Sequence, residues 1–346
     1  MLFDPKPKEK KKDFFNYEEE LNAFITYLND KNNRLIVIKG LRRTGKSSLL
    51  RVGLNEAKAK SVLIDTRELT SLSRRSFEAK LLEELKSIKG LASSILAKIE
   101  SIDVGISISM KKEENLWKTL KTINPIIAVD EIQMLKGTGV DSFCAAVYDN
   151  TNCKIILTGS EVGVLDEFIG KDNTKAPLFG RAYAEIKTHP LTPEKSKKFI
   201  MSGFKEIEKR INQGMIEKVV QELDGIVGWL TLFGNTSIST DLDTALNNSI
   251  VTGAKLAYSE LESFLDGRPA AKKRYLTLMR ILANSSMRWS DIKRSVQIEL
   301  KESISDSQFS NYLNSLVDYG FIVLKEDFYS IPDPLLKKAL IGGISN

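Results

Sequence analysis

Between Arg34 and Leu50 the chain reads RLIVIKGLRRTGKSSLL, an apolar run broken by a glycine, two arginines and a threonine before Gly-Lys-Ser-Ser. The spacing Gly40-x4-Gly45-Lys46-Ser47 is that of a Walker A loop, and it follows a predicted strand and opens a predicted helix, the context such a loop requires. The chemistry it suits is the holding of a nucleotide's phosphates. Glycines let backbone N–H groups close around phosphate oxygens, and the N-terminal end of the following helix adds positive potential. Gly40, Leu41, Arg42, Arg43, Thr44, Gly45, Lys46, Ser47 and Ser48 are therefore the expected nucleotide-binding residues. Lys46 is expected to reach the β- and γ-phosphates of ATP, with the Ser47 hydroxyl on Mg²⁺.

A second pattern, PIIAVDEIQML from Pro125 to Leu135, runs an apolar strand into two carboxylates. Carboxylates at the end of a buried strand lose hydration unless a cation or water meets them. This is the Walker B arrangement: Asp130 is expected to hold the metal and Glu131 to act as general base on the attacking water. A further strand ends ILTGSEVG, which puts Thr158 and Ser160 where a hydroxyl could sense the γ-phosphate or equally well satisfy turn backbone. Arg181, in APLFGRAY, is a candidate to touch the γ-phosphate, within the chain or from a neighbouring one. Catalytic expectations thus fall on Glu131, Lys46, Thr158 and Arg181, and metal-binding ones on Ser47 and Asp130.

These motifs need a scaffold, and β-type runs recur at 34–39, 61–65, 125–130, 154–159 and 184–188 with helical stretches between them. That alternation predicts an α/β P-loop core with a parallel sheet covered by helices on both sides, over 13–190. An apolar alternation at 102–110, IDVGISISM, reads as a small extra strand. From Leu191 the strand signal gives way to helix patterns stopped by Gly225 and Gly267, predicting an all-α lid over 191–267. Over 268–346 three helices precede the strand pair FIVLKEDFYSI, a winged helix-turn-helix. Its third helix opens with a capping box, Ser305 to Gln308.

Composition narrows the classes. With 42% hydrophobic and 28% charged residues the chain reads as a globular protein, and two cysteines with one histidine argue against a disulfide scaffold or structural zinc. No apolar run approaches the roughly 18 residues of a membrane span, so a cytoplasmic location is expected. The net charge of +6 gathers at two places: a lysine-rich segment, 1–12, expected to be a disordered tail, and Lys272 to Glu302. Lys272, Lys273, Arg274, Lys293 and Arg294 form a basic patch able to meet DNA phosphates with little sequence preference. The expected outward face of the third helix carries Asp306, Gln308, Asn311, Asn314 and Asp318, with no cation to face a polyanion.

On the segments DFFNYEEEL, GLRRTGKSSLL, IIAVDEIQ, IILTGSEVG, PLFGR and DGIVGWLTLFG, the chain resembles the archaeal ATPases of the AAA+/STAND group, which join a P-loop core, a helical lid and a winged helix. The resemblance covers nearly the whole chain. It implies a slow ATPase that works as a nucleotide-driven conformational switch with an unknown protein partner. The alternative is an ATP-regulated, origin-recognition-like DNA-binding protein. Two positions depart from the family pattern: Val227 stands where a lid proline near the adenine is usual, and Tyr17 where arginine is common.

Overall fold

The computed structural model describes residues 1–88, 110–171 and 173–342. Residues 102–109, most of the stretch read as an extra strand, lie outside them. The chain divides into two compact units, one of Pro7–Gly40 with Lys46–Thr188, the other of Met1–Lys6, Leu41–Gly45 and His189 onward.

The first unit is built on five parallel strands, β1 (Leu35–Gly40), β2 (Ser61–Asp65), β3 (Ile126–Asp130), β4 (Lys154–Gly159) and β5 (Ala184–Thr188), in the order β2-β3-β4-β1-β5. Side chains alternate across a strand, so each strand serves two cores. Leu35 and Val37 of β1, with Ile127 and Val129 of β3, point into one core together with Phe77, Leu81 and Phe143. Ile36 and Ile38, with Ile126 and Ala128, point into the other, where Phe24, Leu49 and Leu50 meet them. Helices α1 (Glu18–Asn29) and α2 (Lys46–Ala57) cover that second face, and α3 (Arg74–Ser87), α4 (Met110–Ile123), α5 (Val140–Asn150) and α6 (Val162–Phe168) complete the unit. A strand buried on both faces is why β1 and β3 read as unbroken apolar runs. Each such side chain contributes about 1.5–3 kcal/mol on burial.

Lys39, next to the last residue of β1, is fully buried and paired with Asp166 of α6 and, at 2.7 Å, with Glu185 of β5. Removing both carboxylates would leave a buried charge uncompensated. The network fixes the end of the strand that leads into the Walker A loop.

In the second unit, α7 (Pro193–Glu206), α8 (Gln213–Leu223), α9 (Val227–Thr236) and the long α10 (Leu242–Asp266) are followed by α11 (Lys272–Asn284), α12 (Trp289–Leu300) and α13 (Asp306–Asp318). A small antiparallel sheet of β6 (Met287–Arg288), β7 (Val323–Lys325) and β8 (Phe328–Ser330), in the order β6-β8-β7, supplies the wing, and α14 (Pro334–Gly342) ends the described chain. Ser305 caps α13 by accepting the Gln308 N–H at 3.3 Å. The place where lid was expected to give way to winged helix, 267/268, falls between α10 and α11. Phe264 of α10 spans it, with ring contacts to Tyr275, Tyr319 and Phe321 at 5.1, 4.9 and 5.2 Å between centroids.

The expected disordered tail at 1–12 is corrected by the structure. Leu2 and Phe3 are buried. The Phe3 ring lies edge-on to Phe199 and Phe204, in space left open by Gly203 and Gly234. Within the other unit, the Lys8 N–H donates to Ser48 Oγ at 3.0 Å and Asn55 donates to the Glu9 carbonyl at 2.9 Å. The run of lysines hides the anchor, because composition averages over the two apolar residues that precede it.

Gly225 links α8 to α9 at φ 72°, and the Leu191 N–H donates to its carbonyl at 2.8 Å. A Cβ there would lie 2.1 Å from the Leu191 carbonyl oxygen. Gly225→Ala is expected to lower stability by about 2–4 kcal/mol, combining left-handed strain with displacement of that backbone. An unchanged urea midpoint would contradict this.

Candidate functional site

The Walker A residues leave β1 at Gly40 and enter α2 at Lys46. Lys46 is buried, and its Nζ donates to the Gly40 carbonyl at 3.0 Å, so the ammonium is folded back along its own loop. Within the loop, the buried Thr44 hydroxyl donates to the Leu41 carbonyl at 2.8 Å. Arg43 takes φ 64°, a left-handed conformation that a non-glycine residue keeps only when its surroundings over-determine it. Ser47 sits on the first turn of α2, and Ser48, as described above, receives the Lys8 amide.

The sheet brings the acidic groups together. Asp130 ends β3 almost wholly buried and accepts a hydrogen bond from the Thr158 hydroxyl of β4. The same hydroxyl oxygen accepts the Glu131 N–H at 3.3 Å. Glu131, at φ 55°, turns away from the strand, and its Oε2 accepts Ser160 Oγ–H at 2.9 Å and the Gln133 amide. Thr158 and Ser160, left open between sensor and turn roles by the sequence, thus bind the two carboxylates themselves. The Gln133 side chain also reaches Ser160 at 3.3 Å, while its Oε1 is buried with no hydrogen-bond partner among the described residues.

A neighbouring group was missed in the sequence. Asp65 ends β2 in direct register with Asp130, and Arg67 closes on it, Nε to Oδ1 at 2.8 Å and Nη2 to Oδ2 at 2.6 Å, while standing 3.5 Å from Asp130. Burial opposes the charged form of Asp65, yet the hydrogen bonds and charge of Arg67 hold its carboxyl below the usual range. Thr66 donates to the carbonyls of Asp130 and Glu131 at 3.1 and 2.9 Å, locking the two strand ends side by side. The signal was present: SVLIDTRE and PIIAVDE both run an apolar strand into an acid.

Arg181 is not brought to these residues. Its Nε donates to Asp149 Oδ1 at 3.0 Å, its Nη1 donates to the Pro177 carbonyl, and Asp149 is held below its usual pKa by that hydrogen bond. A bidentate carboxylate on the end of α5 holds the guanidinium.

The donor set suits a hard cation. Asp130 offers a buried carboxylate and Ser47 a hydroxyl, the combination that Mg²⁺ shares with its waters and with substrate phosphates. Among the described residues no group of three or more His, Cys, Asp or Glu could form an all-protein cage for a metal.

Residues 14–233 match the family of ATPase domains found predominantly in Archaea, and residues 269–331 match the C-terminal winged helix-turn-helix domain of MCM proteins. A Walker-type ATPase of Pyrococcus abyssi superposes with a TM-score of 0.79 at 31% identity, over 98% of this chain and 99% of that one. Cdc6p of Pyrobaculum aerophilum gives a TM-score of 0.49 at 15% identity, over 99% of this chain and 96% of that one. An uncharacterized protein of Methanocaldococcus jannaschii is 29% identical over 195 residues, 54% of this chain and 38% of that protein, so the chain spans well under half the length of this curated relative. With a phosphate loop, a paired acidic strand end and a match over most of its length, the chain belongs to the family of ATPase domains found predominantly in Archaea and carries a winged helix behind that domain.

Proposed function

We propose that the protein is a Mg²⁺-dependent ATPase whose slow turnover drives a conformational switch. The observation that carries this reading is the pair Asp130–Glu131 at the end of β3, one carboxylate held by the Thr158 hydroxyl of β4 and the other by the Ser160 hydroxyl just past it, in the sheet whose β1 strand leads into the Walker A loop. In the reaction the loop backbone and Lys46 bind and orient the phosphates. Ser47 and Asp130 would hold Mg²⁺, which when bound draws charge from the phosphate oxygens. Glu131 takes a proton from the attacking water as the water oxygen bonds the γ-phosphorus and the bond from that phosphorus to the β–γ bridging oxygen breaks, so that ADP leaves with the bridging oxygen; Thr158 and Ser160 keep the two acids in separate orientations. Arg67 balances the buried charge of Asp65 and Asp130.

The test is a calorimetric titration of the full chain with ATP, with and without Mg²⁺, together with phosphate release. Saturable binding that tightens with Mg²⁺, and release of phosphate, are the expected results. Absence of saturable ATP binding in both conditions would end the reading.

The second reading, DNA binding, is supported by the winged-helix match at 269–331. Several members of the basic patch are already paired: Lys293 with Asp306 of α13, Arg274 with Glu302 at 2.9 Å and Lys272 with Asp266 at 2.7 Å. Lys273 and Arg294 are exposed. Binding through two or three phosphate contacts is expected to be weak, with a shallow dependence of log affinity on log salt of about −2 to −3. A gel shift with mixed duplex at two salt concentrations checks it, and no shift at the lower salt would remove the DNA reading.

A further inference from the structure

Arg42 and Arg43 stand inside a loop suited to a polyanion, yet a carboxylate of α10 already holds both. Glu260 Oε1 accepts from Arg43 Nη2 at 2.5 Å, and its Oε2 lies 3.2 Å from Arg43 Nη1 and 3.4 Å from Arg42 Nε. Arg42 also donates from Nη1 to the Tyr319 carbonyl at 2.8 Å, with its guanidinium 5.2 Å from the Phe321 ring centroid. Tyr319 is the C-cap of α13, where a helix leaves carbonyl groups and the negative end of its dipole. Arg42 thus caps the third helix of the winged helix.

Arg43 makes the matching contact to α9. Its guanidinium lies 4.1 Å from the Trp229 ring centroid, and its carbonyl accepts the Gly228 N–H at 3.0 Å. The Ile226 side chain gives no cap at that helix start, so the loop carbonyl satisfies one of the helix's first N–H groups instead. A Cβ on Gly228 would come within 2.7 Å of Arg43 Cβ, so glycine is what admits the loop. Trp229 Nε1 in turn donates to Asp333 at 3.1 Å, and Asp333 accepts the Leu335 N–H at 2.9 Å at the start of α14.

We propose that Glu260 and the two loop arginines form a clasp that nucleotide phosphates oppose, so that the Walker A loop anchors the winged helix until a phosphate tail binds. A triphosphate brings several negative charges to the loop. Those charges attract the same two guanidinium groups and repel the Glu260 carboxylate, which loses one countercharge for each arginine that turns. Phosphate binding and the clasp are therefore negatively coupled, and the coupling is reciprocal: weakening the clasp tightens nucleotide binding by the same factor. The inference rests on reading the loop as a phosphate site.

The test uses Glu260→Gln in the full chain, a change that keeps the shape and removes the charge. Two readouts are needed. In the absence of nucleotide, amide hydrogen exchange is expected to speed up in peptides covering 38–48, 226–236 and 317–324, because the loop no longer holds α9 and the end of α13. In an equilibrium titration, ATP is expected to bind about 5- to 150-fold more tightly, the usual span of coupling between two sites. Unchanged exchange in those peptides, or an ATP affinity equal to or weaker than that of the unaltered protein, would overturn the clasp. If neither protein binds ATP, the ATPase reading fails, and the exchange experiment still decides whether Glu260 holds the loop.

Discussion

A Glu131→Gln variant is expected to bind ATP with near-unaltered affinity and to release phosphate about 10²- to 10⁴-fold more slowly, the usual contribution of a positioned general base. The carboxamide matches the carboxylate in shape and can still accept the Ser160 hydroxyl through its oxygen, so the local hydrogen bonding around β4 changes little. What disappears is the capacity to take a proton from water. The buried Asp130 and its bond from Thr158 are untouched, which is why binding and turnover separate. Single-turnover phosphate release alongside an ATP titration measures both. Release at the unaltered rate would remove Glu131 from the role of base.

Lys46→Ala is expected to weaken ATP binding about 10²- to 10⁴-fold. Each hydrogen bond from a charged donor contributes about 1.5–3 kcal/mol, and an ammonium that reaches two phosphate groups makes at least two of them. Burial of Lys46 and its bond to the Gly40 carbonyl hold the side chain along the loop before any ligand arrives, so little ordering remains to oppose binding. Isothermal calorimetry checks the prediction, with unfolding by urea as a control that the fold survives. An affinity within about threefold of the unaltered protein would mean that the phosphates lie elsewhere, since even one such bond is worth more than that.

The parts of this molecule that could be read from its residues are those governed by neighbours in the chain. All five strands of the large sheet lie within a residue of the β-type runs that predict them, because strands covered on both faces are mostly apolar and the few polar residues they hold, such as Lys39, are paired. The Ser305 cap of α13 was legible for a similar reason: a capping box is a local pattern. The glycine and lysine spacing of the Walker A loop and the acid pair after β3 are likewise short-range signals.

What escaped reading depends on partners far along the chain. Arg42 and Arg43 could be named from the loop, but the carboxylate that meets them lies 217 residues beyond Arg43, on a helix carrying several other acids. Nothing local distinguishes Glu260 from Glu262. Gln133 was quoted within its motif and passed over, since an amide two residues past an acid has no period or charge that marks it. The register of Asp65 beside Asp130 required knowing that β2 and β3 are neighbours in the sheet. The pairing of Arg181 with Asp149 is of the same kind, since its partner lies 32 residues earlier, near the end of α5.

The bond from the Gly228 N–H to the Arg43 carbonyl has a bearing on how the loop can be studied. It is a main-chain contact at both ends, so truncating Arg43 to alanine would strip the guanidinium from Trp229 and Glu260 and leave this link in place. A survey of the loop by side-chain substitution would therefore undercount what joins it to α9. Exchanging the amide at Gly228 for an ester, by chemical synthesis, would address that link alone.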